Sequence, residues 1–125
     1  MNEKAIEVLK KILSNIDKIE ETFGTSNEYY FRYKDVTFSI LRAFNRGPKW
    51  GPYAFYIYPL WDKTASLSDI AELSSTGTLE EPDMVAYNVG DFKDPEATKL
   101  FEQLFFEMQR KHSKIDDVFK KILEE

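Results

Sequence analysis

Cysteine is missing altogether from this chain. Its absence excludes a disulfide scaffold, a thiolate metal site and a cysteine nucleophile, and it is compatible with a reducing compartment. Histidine occurs once, as His112. A lone imidazole provides no spacing for zinc and leaves a Ser-His-Asp triad with a single candidate base. His112 follows Met108 at helical spacing, so a structural place on or beside an apolar stripe is expected for it. The 5 glycines are scattered. None opens a helix in the manner of a phosphate-binding loop, and no serine stands in a Gly-x-Ser-x-Gly elbow. No loop resembles an EF-hand. No apolar run approaches the roughly 20 residues that span a bilayer. The opening Met-Asn-Glu-Lys-Ala-Ile-Glu is amphipathic and mixed in charge, unlike a signal peptide. Positive charge is also scarce: 17 Lys and Arg stand against 22 Asp and Glu, for a formal charge of −5. Phosphate contacts need a basic surface, so nucleic acid is a poor match.

What is present is aromatic. The 125 residues include 10 Phe, 7 Tyr and 2 Trp, and 15% of side chains carry rings. The length suits one domain, 1–125, large enough to bury a core without staples. The uncharged run from Tyr53 to Trp61 is the most apolar stretch and reads as a strand near the middle of a sheet. Gly51-Pro52 sets its start, and Pro59, which cannot donate to a ladder, points to its end, an edge or a bulge.

Residues 3–23 read as one amphipathic helix. Ala5, Leu9, Ile12, Ile16, Ile19 and Phe23 recur at spacings of four and three, with Gly24 as the stop. Tyr29–Tyr33 and Val36–Leu41 read as two strands joined by a two-residue loop, Lys34-Asp35. That loop pairs Tyr33 with Val36, Phe31 with Phe38 and Tyr29 with Ile40, an all-apolar face. The other face pairs Arg32 with Thr37 and Tyr30 with Ser39 and is more polar. Arg42 falls on the apolar side, so a place at the rim or bulge, or beside a carboxylate, is expected for it.

Residues 65–73 suggest a short helix with Ser66 and Asp69 as a capping box. Met84–Val89 reads as a fourth strand. Asp94 caps and Pro95 opens the last helix, whose stripe is Ala97, Leu100, Phe101, Leu104, Phe105 and Met108. Ser113 and Asp116 could restart a second helix carrying Ile115, Val118, Phe119 and Ile122. The expected class is α+β: an antiparallel sheet of about four strands against long N- and C-terminal helices, in the order α-β-β-β-(short α)-β-α.

Two functional readings from different classes follow. In the first, Tyr30, Arg32, Tyr56 and Tyr58, with Trp50 at the rim, form an open aromatic face that docks another protein. Tyr, Trp and Arg dominate binding hot spots because they offer rigid area with a polar tip. If instead Leu67, Ile70 and Leu73 cover that face, the tyrosines are structural; the residues alone leave both arrangements open. This reading expects a small cytoplasmic module of bacterial or phage type, inhibitor, immunity-like or chaperone-like, with no membrane contact, no cofactor and no metal. Self-association through the same face is a variant of it. Uneven charge adds steering: residues 30–50 hold five cations and one carboxylate, whereas residues 62–96 hold nine carboxylates, Glu80, Glu81 and Asp83 among them, and two cations.

In the second reading, Pro82-Asp83 followed by Asp91-Phe92-Lys93 resembles the PD-(D/E)xK motif of metal-dependent nucleases. The resemblance implies two carboxylates on a divalent cation, with Lys93 helping to activate water. Between the two parts there is room for about one strand, whereas the family sets them on adjacent strands. The surrounding acidity repels a nucleic-acid substrate. A hydrolase or small-ligand pocket near Asp83, Asp91 and Lys93 is the alternative to docking.

Overall fold

The computed structural model describes residues 2–59, 61, 65–77 and 84–124. The fold is α+β: five antiparallel strands and four helices. The strands β1 (Glu21–Gly24), β2 (Glu28–Tyr33), β3 (Val36–Arg42), β4 (Tyr53–Tyr58) and β5 (Val85–Asn88) lie side by side in chain order. The helices are α1 (Asn2–Ser14), α2 (Leu67–Ser75), α3 (Pro95–Ser113) and α4 (Ile115–Leu123).

The β2–β3 hairpin has the expected register. Tyr33 faces Val36, Phe31 faces Phe38 and Tyr29 faces Ile40. Lys34 and Asp35 both take positive φ, 52° and 64°, which is the geometry a two-residue hairpin needs to match strand twist. Parity continues into β4, where Phe38 faces Ile57 and Ile40 faces Phe55. Phe31, Phe38 and Phe55 therefore stack in a row, with ring centroids 5.5 Å apart at each step. Leu9 and Ile12 of α1 and Phe101, Leu104, Phe105 and Met108 of α3 bury that row. Asp94 caps α3 by accepting from the Glu96 amide at 3.0 Å, and Pro95 begins it.

The N-terminal helix is shorter than its periodicity suggests, and the sheet gains a fifth strand in exchange. Helix α1 stops at Ser14, and a 3-10 turn spans Ile16–Lys18. Ser14 Oγ donates to Lys10 O and Asn15 Nδ2 donates to Lys11 O, so both side chains occupy carbonyls of the last turn. Beyond the turn, Glu21–Gly24 pairs with Arg32–Tyr29 and covers the open edge of β2. Phe23 then lies against the α2 side of the sheet, not in the α1 stripe. Gly24 is not a helix stop. A Cβ there would come within 2.7 Å of the Tyr29 ring and 2.8 Å of His112. His112 packs its ring on Tyr29, centroids 5.6 Å apart, while staying largely exposed.

Arg42 ends β3 at the sheet rim. The pairing runs unbroken to Arg42 opposite Tyr53, so there is no bulge. Of the places expected for Arg42, the rim at the strand end is the one observed, and its guanidinium lies 4.6 Å from the Phe105 ring and 5.2 Å from Phe106 in a cation–π arrangement. The last helix breaks at Lys114, which adopts a left-handed conformation, φ 55°. Ser113 does not cap α4; its hydroxyl donates to Arg110 O. Among the described residues no helix is long and apolar enough to cross a membrane.

Candidate docking site

The sheet face opposite the phenylalanine row is covered. Helix α2 is capped as expected, with Ser66 Oγ accepting from the Asp69 amide at 3.1 Å. Its Leu67, Ile70 and Ala71 pack on Tyr30 and Tyr58. Tyr30 and Arg32 are 1% exposed and Tyr58 is 0% exposed. These three side chains therefore do not present a surface, and the expectation of an open aromatic face is corrected for them. The physical cause is the apolar side of α2, which finds ring area to bury only on this face.

What lies under α2 is a polar layer. Arg32 donates from Nη1 to both Glu21 oxygens at 3.1 and 3.0 Å and from Nε to Thr37 Oγ1 at 3.3 Å. Its Nη2 donates to Ala65 O, and Thr37 Oγ1 donates to Trp61 O at 2.6 Å. Arg32 thus ties β1 and the chain entering α2 to the sheet. Next to it sits Glu28, which no sequence motif singles out. It is in phase with Tyr30 and Arg32 along β2, so strand parity alone places it on this face. Tyr30 donates to Glu28 Oε1 at 3.0 Å and Ser39 donates to Oε2 at 2.8 Å. The Tyr58 hydroxyl stands 2.9 Å from Ser39 Oγ. Burial pushes the Glu28 carboxyl above the ordinary carboxylate range; the bonds from Ser39 and Tyr30 pull the other way and lose. Burial also raises Tyr30 and Tyr58, with the Glu28 charge adding to it, so both stay phenolic.

Trp50 and Tyr56 are different. They line one open groove of about 470 Å³ together with Arg46, Met84, Ala86 and Asn88. The connection before β4 builds its wall. Two close approaches hold that connection: the Gly90 amide donates to Trp50 O at 2.8 Å, and a Cβ on Gly90 would fall 2.2 Å from Lys49 O. Glycine at 90 is what lets the Trp50 loop rest on the end of β5. Trp50 is 42% exposed, with Lys49 Nζ 5.0 Å from its ring. Arg46 donates from Nη2 to Asn88 Oδ1, while its Nη1 meets no acceptor among the described residues. Burial raises Tyr56, so the groove holds a neutral phenol beside a guanidinium. From residue 36 to residue 61 the chain carries Arg42, Arg46 and Lys49 and no carboxylate. Rings, a guanidinium and an amide on one concave surface suit a segment that brings a carboxylate and an apolar side chain. Arg46 and Asn88 escape sequence reasoning because they come together only across the β4–β5 end of the sheet.

Of the three residues in the nuclease-like string, Asp83 lies outside the described residues. Asp91 ends a 3-10 turn, Val89–Asp91, and Lys93 precedes the α3 cap; neither is buried. Among the described residues no three His, Asp or Glu side chains gather as a metal site would require.

Compared with protein-family models, with curated proteins and with solved structures, the chain matches none of them.

Proposed function

We propose that this chain is a small protein-docking module, inhibitor-, immunity- or chaperone-like, which engages an acidic segment of a partner protein at the Arg46–Trp50–Tyr56 groove. The observation that carries the reading is that Trp50 and Tyr56, alone among the five aromatic-face residues, share an open groove, and that it is walled by a cation-only stretch. Arg46 supplies positive charge in the groove wall, Trp50 supplies rigid area, and Lys49 supplies steering at the rim. Residues at such a rim act mainly on the association rate, whereas the central ring acts on the dissociation rate.

The test uses the full chain as bait in its native cell, then titrates the purified partner by calorimetry. Trp50→Ala should weaken binding at least tenfold, about 1.4 kcal/mol, and Lys49→Glu should slow association and flatten its salt dependence. Both positions are exposed, so the melting temperature should move by no more than about 2 °C. A partner held equally well by both variants overturns the groove as the docking site.

A further inference from the structure

The docking groove lies against an open edge of the sheet. Strand β5 is the last of the five, and among the described residues no strand pairs with its outer side. Which of its peptide groups face outward follows from the ladder. The Ala43 amide donates to Pro52 O at 2.8 Å, in step with the β3–β4 register. Hydrogen-bonded pairs alternate along an antiparallel ladder, so Leu41 with Ala54, Ser39 with Tyr56 and Thr37 with Tyr58 are the bonded pairs between β3 and β4. Phe55 and Ile57 therefore turn their peptide groups to β5, where they meet Tyr87 and Val85. Ala86 and Asn88 are left with N–H and C=O directed away from the sheet. The same two residues line the groove with Arg46, Trp50 and Tyr56. Outward peptide groups and a concave side-chain surface thus coincide on one short strand.

The opposite edge of the sheet differs. The Thr25 amide donates to Glu28 O at 2.8 Å, so by the same alternation β1 turns Thr22 and Gly24 outward. Glu20 and Glu21 precede them, and charge on an edge strand discourages further pairing. Strand β5, Val-Ala-Tyr-Asn, carries no charge. The connection from Arg42 to Lys49, which leads to the groove, holds three cations and no carboxylate. A second copy of β5 brings no carboxylate to meet them, whereas an acidic segment of another protein does. Taking the docking groove as given, we infer that the partner's acidic segment is extended and adds to β5 as a sixth strand. Its backbone bonds Ala86 and Asn88, one carboxylate lies towards Arg46, and apolar side chains two residues away lie on Trp50 and Met84. Main-chain bonds hold such a segment, and its alternate side chains select it.

The probe is the end-blocked peptide Thr-Leu-Thr-Glu-Thr-Leu-Thr, whose symmetric order suits either strand direction. It is titrated into the isotope-labelled full chain to millimolar concentration and followed by NMR. The amide protons of Ala86 and Asn88 should shift downfield and exchange at least tenfold more slowly. Those of Val85 and Tyr87, already in the ladder, should hold their positions. Lysine in place of the glutamate should weaken binding at least tenfold. N-methylation of the leucines and the glutamate should differ sharply from N-methylation of the inner threonines. One set faces β5 and should abolish binding; the other faces solvent and should change it less than twofold. Ala86→Pro removes an outward donor and no ladder bond, so it should weaken binding at least tenfold with the melting temperature nearly unchanged. Equal effects of the two methylated sets, or a bound peptide that leaves Ala86 and Asn88 unmoved, overturn strand addition. So does a peptide that moves no amide at all. In each case the partner titration with Trp50→Ala decides the groove separately: weakened binding there keeps the groove and discards only the extended form. Shifts at Ala86 and Asn88 that follow chain concentration without peptide also overturn it, and assign the edge to a second copy.

Discussion

Arg32 is a fully buried cation whose donors are all directed at named acceptors: Glu21, Thr37 and Ala65 O. Removing it strips partners from Thr37 and a backbone carbonyl and leaves a cavity under α2. Arg32→Ala should therefore cost about 2–4 kcal/mol in urea unfolding. Glu21 is half exposed, so Glu21→Gln should cost less than about 1 kcal/mol. A small loss for Arg32→Ala would show that it does not tie α2 to the sheet. Glu28 makes a prediction with a sign. Its carboxyl is held above the ordinary range in the folded state, so the folded protein keeps the proton longer than the unfolded chain. The stability it contributes is present at acid pH and is lost as pH rises through the ordinary carboxylate range to the raised value. The difference in stability between Glu28→Gln and the parent should grow in favour of the variant across that window and then level off. A difference that is flat from about pH 4 to about pH 8 would contradict the shift. Both residues are legible as positions, because strand parity puts them on one face. Whether that face is open is not legible, since it depends on where α2 lands.

The hairpin is the element most legible in the sequence, and the reason is local. A two-residue loop between two apolar runs leaves one register that keeps Phe31 and Phe38 on the same side. Its residues are nonetheless poor for it, since Lys34 and Asp35 carry side chains at positive φ. The double substitution Lys34→Asn, Asp35→Gly should stabilise the protein by about 1 kcal/mol, measured as a rise in the urea midpoint at constant slope. No gain would mean that the turn is already compensated, for example by the contact of the Asp35 amide with Glu20. The first helix ends before its periodicity does for a different reason. Ile16, Ile19 and Phe23 keep a helical spacing, but Ser14 and Asn15 turn back on the last carbonyls and β2 offers an unpaired edge. Periodicity does not register an edge that must be covered, so the strand Glu21–Gly24 is invisible in it. Leu67, Ile70 and Ser66 mark α2 correctly, and Asp94-Pro95 marks α3.

At the scale of the molecule, one sheet carries two unequal layers: a phenylalanine face under two helices and a hydrogen-bonded tyrosine face under one short helix. The class and most of the order can be read from the chain, because each strand contacts its sequence neighbour. The groove cannot, because Arg46, Trp50 and Asn88 meet only once β4 has paired with β5. The unequal layers predict unequal protection. In native-state hydrogen exchange the amides of β3, the central strand of the five, should be the slowest, and those of α4 the fastest among the helices. Slow exchange in α4 would contradict its isolation from the core.

The strand order also bears on how the chain reaches this state. Every strand finds its partner in the next one along, so no pairing waits for a distant segment to return through the sheet. Chain closure is cheap from β1 through β4 and more costly only for the connection that carries α2. Such a topology should collapse through the β2–β3 turn and add strands outward, with single-exponential refolding and a structured central hairpin at the barrier, and with β5 and the Trp50 loop docking last. The surface proposed to capture a partner would then be the final piece of the molecule to acquire its shape.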